Sequence, residues 1–437
     1  MGVWCLHESF CPAPTFVTAD SYGARNPQHF IYVDVVLHNK KTMNKHITIL
    51  LILLIPVLSF GQEQEYKSKE REKYYKNLNY KPFKPLSKKE ISSFKNAHFD
   101  LEDIGDYTPY SDSLYLTPYQ DSIYKIMFNP ANRDSMIIPE PQFVGEIEKS
   151  QILKYEKSGE AEAFIYVSSK YENRYFGESG IWVAYSTNKG ESWEYLYTGI
   201  VQQQPLYIKW YSKLPLINSK RELQIETCLL RQLSPFSHPG PGPTYEVVKD
   251  GLLLTLDLKT LRKDTDGDGL TDIVETKFYT NLNNKDTDGD GITDDLDLNP
   301  RFNVQRTDKT VIFESAVNEE TNMFDTTGLV ISSLKTPQIN YATDTTETIL
   351  IVTDNPDIQS IQPKSTRVII LSEKEYEKSK GLFRNELNDM SISPLFKFDN
   401  ETDTYIFTRS FNTWGEEYLV KKTEKGWRIM IISSWIS

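Results

Sequence analysis

The stretch DTDGDGLTDIVETKFYTNLNNKDTDGDGITDDLD, Asp264 to Asp297, writes DTDGDG twice, beginning at Asp264 and again at Asp286. Within it eleven carboxylates face two lysines, Lys277 and Lys285. Charges packed that densely repel one another and oppose a compact chain unless something cationic neutralises them. Aligned on its first residue, the first repeat places Asp264, Asp266, Asp268, Gly269, Asp272 and Glu275 at positions 1, 3, 5, 6, 9 and 12. The second places Asp286, Asp288, Asp290, Gly291, Asp294 and Asp297 at the same positions.

This is D-x-D-x-D-G-x-x-D-x-x-E/D, the spacing of an EF-hand loop. A hard cation of calcium's size takes six to eight oxygens at about 2.3–2.6 Å, so the loop that holds it must curl around a point. Alternate residues of the curl face inward, which accounts for acids at positions 1, 3 and 5. A residue without Cβ at position 6 permits the sharp turn. Position 7, Leu270 or Ile292, offers a backbone carbonyl, position 9 reaches the ion directly or through water, and Glu275 closes the shell with two oxygens. Asp297 is one methylene shorter, so the second loop is expected to bind more weakly, adopt another geometry or share ligands. An ion-free acidic linker has no reason to keep glycine at position 6 and an apolar residue at 7 in both copies. Magnesium retains its waters and rarely takes an all-protein cage. The expected cofactor is Ca²⁺.

Two helix–loop–helix hands do not fit the short interval between the loops, since only Glu275 to Tyr279 has room to be helical before TNLNNK. The segment instead resembles the thrombospondin type 3 repeat of secreted bacterial proteins, in which DTDGDGLxDxxE is followed by a turn rich in Thr and Asn and another DTDGDG. That resemblance implies calcium wound into loops with little regular structure, acting as a rigid spacer between domains. The cysteines that animal repeats carry near the end of each motif are absent here. The likeness covers only residues 264–300.

The 437-residue chain as a whole is globular in composition, with 39% apolar residues and 26 tyrosines. Its charge of −12 argues against nucleic acid or an anionic membrane as partner. MNKHITILLILLIPVLSFGQ, Met43 to Gln62, has a basic start, an apolar run from Ile47 to Phe60 and small residues before Gln62, the layout of a secretory signal peptide. That run is too short to span a bilayer comfortably. Met43 is therefore read as the initiator, residues 1–42 as an upstream mis-start and 43–61 as a signal peptide. Removing 1–61 takes away three acids and four bases, leaving a mature chain of −13, of which the acidic segment carries −9. Cys228 is then the sole cysteine, so no intramolecular disulfide forms. The expected location is extracytoplasmic, with no transmembrane segment in the mature chain.

Residues 62–95 read as a charged linker and 96–262 as an all-β domain. AFIYVSS, GIWVAYS, SWEYLYTGI, PLYIKWYS, ELQIETCLL, TYEVV and GLLLTLDL are strand-like, separated by turn material such as NKGE and KDG. Residues 263–300 are the metal-loop spacer. Residues 301–437 read as a small α+β domain with an antiparallel sheet. There TVIFESA, GLVISS, TILIVT and RVIILS look like strands, and SEKEYEKSKGLF opens on Ser372 with a capping-box Glu375. The fold expected is mostly β and multi-domain.

Ser186-Thr-Asn-Lys-Gly-Glu-Ser-Trp193 resembles the Asp-box, S-x-D-x-G-x-[ST]-W, with Asn188 in place of Asp. The resemblance implies a hairpin turn hydrogen-bonded within itself over a packed tryptophan, a unit that recurs once per blade in sialidase-type propellers. Only one copy is convincing, which favours a single decorated hairpin over a partial or divergent propeller-like unit. No G-x-S-x-G, HExxH or P-loop occurs, and no catalytic residues are assigned. His98 and His238 sit in irregular or turn sequence, and Cys228 alternates onto a strand face as a core residue. Two readings remain open. One is a secreted, calcium-stiffened binding or cell-surface protein whose partner is a surface protein or glycan. The other is a secreted glycan hydrolase using paired carboxylates with structural calcium.

Overall fold

The computed structural model describes residues 68–436 except 78–83, 96–97, 112–124, 126–141, 168–179, 202–204, 235–243, 321–327, 333–338, 344–345, 379–387, 400 and 412–413. The signal peptide and upstream segment expected at 1–61, and His238 with its turn, lie outside the described residues.

In chain order the elements are helices α1 (Lys69–Asn77) and α2 (Lys88–Ser92), then strands β1 (Leu101–Asp103), β2 (Phe143–Val144), β3 (Ile147–Glu148), β4 (Ile152–Ser158), β5 (Ala161–Val167), β6 (Gly180–Ser186), β7 (Glu194–Val201), β8 (Leu206–Ile208), β9 (Leu223–Gln232) and β10 (Tyr245–Leu256). Helices α3 (Leu258–Leu261), α4 (Asp272–Phe278) and α5 (Thr310–Val317) follow. Strand β11 (Leu329–Ile331) leads to β12 (Thr348–Val352), α6 (Pro356–Gln359), β13 (Arg367–Leu371), α7 (Glu373–Lys378) and β14 (Asn388–Ile392). The chain closes with β15 (Phe396–Lys397), β16 (Thr404–Ser410), β17 (Trp414–Thr423) and β18 (Gly426–Ile436).

The fold is mostly β, with several sheets and few helices. Ahead of the acidic segment, β4-β5-β6-β7 is an antiparallel meander, and β1-β10-β9-β8 is a second antiparallel sheet. The TYEVV and GLLLTLDL runs form one strand, β10. The intervening KDG is absorbed as an irregularity in its pairing with β9, between Val247 and Leu252. After the segment, the largest sheet runs β11-β18-β17-β16-β14-β12-β13.

Two expectations for that last sheet are corrected. TVIFESA is helix α5, not a strand. Nearly all of it is buried, from Thr310 and Val311 to Ala316 and Val317. A helix apolar all round shows no one-sided period, and its β-branched residues then read as strand. The sheet is also mixed: β12 pairs parallel with β13 and with β14. The crossovers carry α6 and α7, as parallel pairing requires. Ser372 and Glu375 do cap α7 reciprocally, Glu375 N donating to Ser372 Oγ at 3.2 Å and Ser372 N to Glu375 Oε2 at 2.9 Å.

Strands β12 and β13 are buried on both faces, and this decides the packing. Leu350, Ile369 and Leu371 join the core built by the N-terminal sheets. Ile349, Ile351, Val368 and Ile370 point the other way, into a second core with α5, Phe407, Tyr418 and Trp427. Alternate side chains of a strand face opposite ways, so two adjacent strands form a wall between two apolar cores. The acidic segment docks on the first core through Leu270, Ile273, Val274 and Phe278. Its apolar side chains are thus part of that core. At Gly199 of β7 (φ +73°) a Cβ would stand 2.9 Å from Ile273 Cγ2, so glycine admits the close approach of α4.

Candidate metal centre

The two loops close by the same hydrogen bonds. In the first, Gly267 N and Gly269 N donate to Asp264 Oδ1 and Oδ2 at 2.6 and 3.1 Å, and Leu270 N donates to Asp268 Oδ1 at 2.7 Å. In the second, Gly289 N and Gly291 N donate to Asp286 Oδ1 and Oδ2 at 2.7 and 2.8 Å, and Ile292 N donates to Asp290 Oδ1 at 2.8 Å. Both position-6 glycines have positive φ, +108° and +98°. The outcome is two clusters able to hold a metal ion: Asp264, Asp266 and Asp268 offer oxygens within 4.8 Å of one another, and so do Asp286, Asp288 and Asp290.

Position 9 is used differently. Asp272 accepts from Thr265 N at 2.8 Å, Thr265 Oγ1 at 2.9 Å and Lys263 Nζ at 2.6 Å. Asp294 accepts from Thr287 N at 2.9 Å and Thr287 Oγ1 at 2.7 Å. Both carboxylates therefore lace the loop entry to its exit, which also explains the threonine at position 2 of each repeat. Burial works to raise the Asp272 pKa, but the Lys263 and Thr265 hydrogen bonds outweigh it and hold it below the usual carboxylate range.

Position 12 completes the first loop. Helix α4 begins after Thr271, carries acids in its first turn where the helix dipole favours them, and stops at Tyr279, whose φ of +57° turns the chain away. This sets Glu275 one turn into the helix, fully buried. Among the described residues its Oε2 has no hydrogen-bond partner, and neither do Asp266 Oδ2 and Asp268 Oδ2. Three buried, unpaired carboxylate oxygens from positions 3, 5 and 12 of one loop form a donor set that fits a hard divalent cation. Burial first, then repulsion from Asp266 and Asp268, pushes the Glu275 pKa up to about 8. Asp268 rises to about 6, by burial and then by its acidic neighbours, among them Asp295 of the other repeat.

In the second loop, burial and the charge of Asp290 raise Asp288 to about 6. Asp294 and Asp297 reach about 7, again chiefly by burial. Asp297 is 6% exposed and Asp290 is at the surface, so this loop has one buried wall and one open one.

Arginines fasten the loops to the wall of β12 and β13. Arg367, fully buried, donates from Nε to Asp297 O at 3.0 Å, from Nη2 to Asp295 O, and stacks its guanidinium 5.4 Å from the Phe278 ring centroid. Arg301 bridges Tyr279 O (3.1 Å), Ile370 O and Glu375 (2.7 Å). The Val368 amide donates to Leu298 O at 2.8 Å. Sequence reasoning missed these residues, because an arginine that ligates carbonyls far along the chain leaves no local pattern.

Of the predicted loop residues, the side chains of Asp264, Asp266, Asp268 and Glu275, and of Asp286, Asp288, Asp290 and Asp297, line the two loops. Leu270 is buried in the first core, whereas Ile292 is only half-buried. His98 is half-buried, and burial lowers its pKa against the opposing charge of Asp272. Cys228 is fully buried on β9, and burial pushes its thiol up to about 12, which makes it an inert core thiol. In the turn from β6 to β7, Ser186 Oγ donates to Asn188 Oδ1 at 2.8 Å and Ser192 N donates to the same oxygen at 3.0 Å. Trp193 packs on Phe164 with ring centroids 4.8 Å apart.

A second unpredicted cluster lies in the N-terminal sheets. Lys209 and Glu226, both with fully buried side chains, pair at 3.1 Å, and Lys209 also pairs with Asp250. Together they grip an extended strap: Thr108 N donates to Glu226 Oε1 at 2.6 Å, Lys209 Nζ to Thr108 O at 2.5 Å, and Tyr110 N to Asp250 Oδ2 at 3.1 Å. Every charge in the cluster is met, which makes it a fastening.

Comparison with known proteins finds no family model, no curated protein and no solved structure that matches this chain, so its function is read from the loops' own geometry.

Proposed function

We propose that this protein is an extracytoplasmic calcium-binding protein in which two ions, one in each acidic loop, stiffen the connection between an N-terminal β module and a C-terminal α+β module, leaving those modules to bind a surface protein or glycan. The observation that carries the reading is the set of buried, unpaired oxygens on Asp266, Asp268 and Glu275. Apposed carboxylates so poorly solvated disfavour ionisation until a cation replaces the missing water. Asp272 and Asp294 serve as loop clasps, and Leu270 and Ile292 contribute through the backbone. Calcium outside the cell is abundant enough to fill even weak sites. The leader-like Met43–Gln62 supports the location. Among the described residues no helix is long and apolar enough to cross a membrane.

Titration calorimetry of Ca²⁺ into the chelator-stripped protein, with Mg²⁺ as competitor, tests this. Two sites with a clear calcium preference are expected. No binding at millimolar calcium would leave the repeats as an acidic linker and end the proposal.

A further inference from the structure

The second loop ends on Asp297, one methylene shorter than Glu275, and Asp297 Oδ1 already accepts from Asn299 N at 2.8 Å. We propose that the side-chain oxygen of Asn299 makes up the deficit and is a ligand of the second loop's calcium, directly or through one water; this rests on the calcium reading above.

Asn299 is 5% exposed. Its amide nitrogen donates to Gln359 O and to Ile361 O, both at 2.9 Å. With both hydrogens used against carbonyl oxygens, the amide has one orientation, because a flip would set oxygen against oxygen twice. Oδ1 therefore faces away from those carbonyls, and among the described residues it has no hydrogen-bond partner. Asn299 lines a cleft of about 270 Å³ together with Gly289, Asp290 and Asp297. Asp290 and Asp297 line that cleft with Asn299, whose unpartnered side-chain oxygen is buried. Carboxylates recruit a cation, and side-chain amide oxygens are ordinary calcium ligands.

The contrast with the first loop sharpens the assignment. Two residues beyond position 12 that loop has Lys277, a buried cation unsuited to ligation, but its position 12 is the longer Glu275. An acceptor at that place occurs only where the carboxylate is short.

The test is calcium calorimetry on the full chain carrying Asp266→Ala, which silences the first loop so that the second is read alone, with and without Asn299→Ala. Thermal unfolding of the single Asn299→Ala variant is followed in chelator and in calcium. The expected result is a second-site affinity weakened about tenfold or more, the scale on which even indirect partners of a metal act. The upward shift in Tm on adding calcium should shrink as well. An asparagine that merely ties down the Gln359 and Ile361 carbonyls would lower Tm equally in both conditions and leave affinity unchanged, and that result overturns the inference. Where the alanine variant does not fold, Asn299→Asp keeps an oxygen toward the ion while losing both donors. It should retain second-site binding, and loss of that binding would also overturn the inference. A wild-type protein that binds no calcium overturns the calcium reading itself. Two sites in wild type, with the second untouched by Asn299→Ala, would remove only the role of Asn299.

Discussion

The Arg367 guanidinium reaches back 70 residues to accept its place in the second loop, donating through Nε to the Asp297 carbonyl at 3.0 Å. A buried cation is thus bonded to the backbone of the acidic segment. Replacing Arg367 with alanine removes the donors to Asp295 O and Asp297 O and its stacking on Phe278. Buried acceptors left without a donor cost about 1–3 kcal/mol each. We expect Arg367→Ala to lose on the order of 3 kcal/mol in urea unfolding and to weaken calcium binding at the second loop. A loss under 1 kcal/mol would mean that water replaces the guanidinium.

Without metal, the protein should lose stability as pH rises through the neutral range. The folded-state values of about 8 for Glu275, 7 for Asp294 and Asp297, and 6 for Asp268 and Asp288 all lie above their ordinary values of 4.5 for Glu and 3.8 for Asp. Between these limits the folded state holds protons that the unfolded chain releases. Stability contributed by these groups is complete below about pH 4 and is lost as pH rises toward 8. Carboxyls held low by partners, such as Asp272, act the opposite way, and their gain is complete near pH 4. Urea midpoints in chelator should therefore fall from pH 5 to pH 8, and saturating calcium should remove the decline. A rise over that range in chelator would contradict the burial assigned to Glu275.

Phe278 is fully buried in the first core and lies beneath Arg367. Phe278→Ala should cost about 3–5 kcal/mol, the usual loss for truncating a core phenylalanine. Because the lost contacts are apolar, the deficit should be similar with and without calcium. A loss confined to the calcium-free protein would show instead that the segment is held chiefly by its ion.

Gly291 and Gly269 separate backbone strain from crowding. Both have φ near +100°, but a Cβ on Gly291 meets nothing within 4 Å, whereas one on Gly269 would stand 3.3 Å from Asp295 Oδ2. Gly291→Ala should cost about 1–2 kcal/mol through conformation alone. Gly269→Ala should cost more, because it also displaces Asp295. Equal losses in paired denaturation curves would show that the Asp295 contact gives way freely.

Cys228 should resist a thiol reagent in the native protein and react only on unfolding, given its burial and its thiol near 12. Rapid labelling of the folded chain would identify a breathing motion in β9.

The register of both loops was legible in the sequence, because the acids of each cluster stand at alternate residues of one short segment. The strand runs of the N-terminal sheets were legible for a similar reason, being local patterns of β-branched and aromatic residues. Helix α5 was not, since full burial erased its period. The parallel pairing of β12 was not drawn from TILIVT and RVIILS, although their uninterrupted aliphatic runs carry the mark of strands covered on both faces.

What the sequence by itself determined was the spacing of the acids in the two loops from Asp264 to Asp297 and the mostly β character of what flanks them. Both depend on neighbours a few residues apart. Tertiary structure decided that the segment is embedded, with Ile273 and Phe278 in the core and Arg367 locked to its carbonyls, and that Asn299 turns a buried, unpartnered oxygen away from Gln359 and Ile361. Those contacts join residues 60 or more positions apart. They exist because two-sided burial of β12 and β13 draws both halves of the chain onto one wall, and no short-range pattern encodes that.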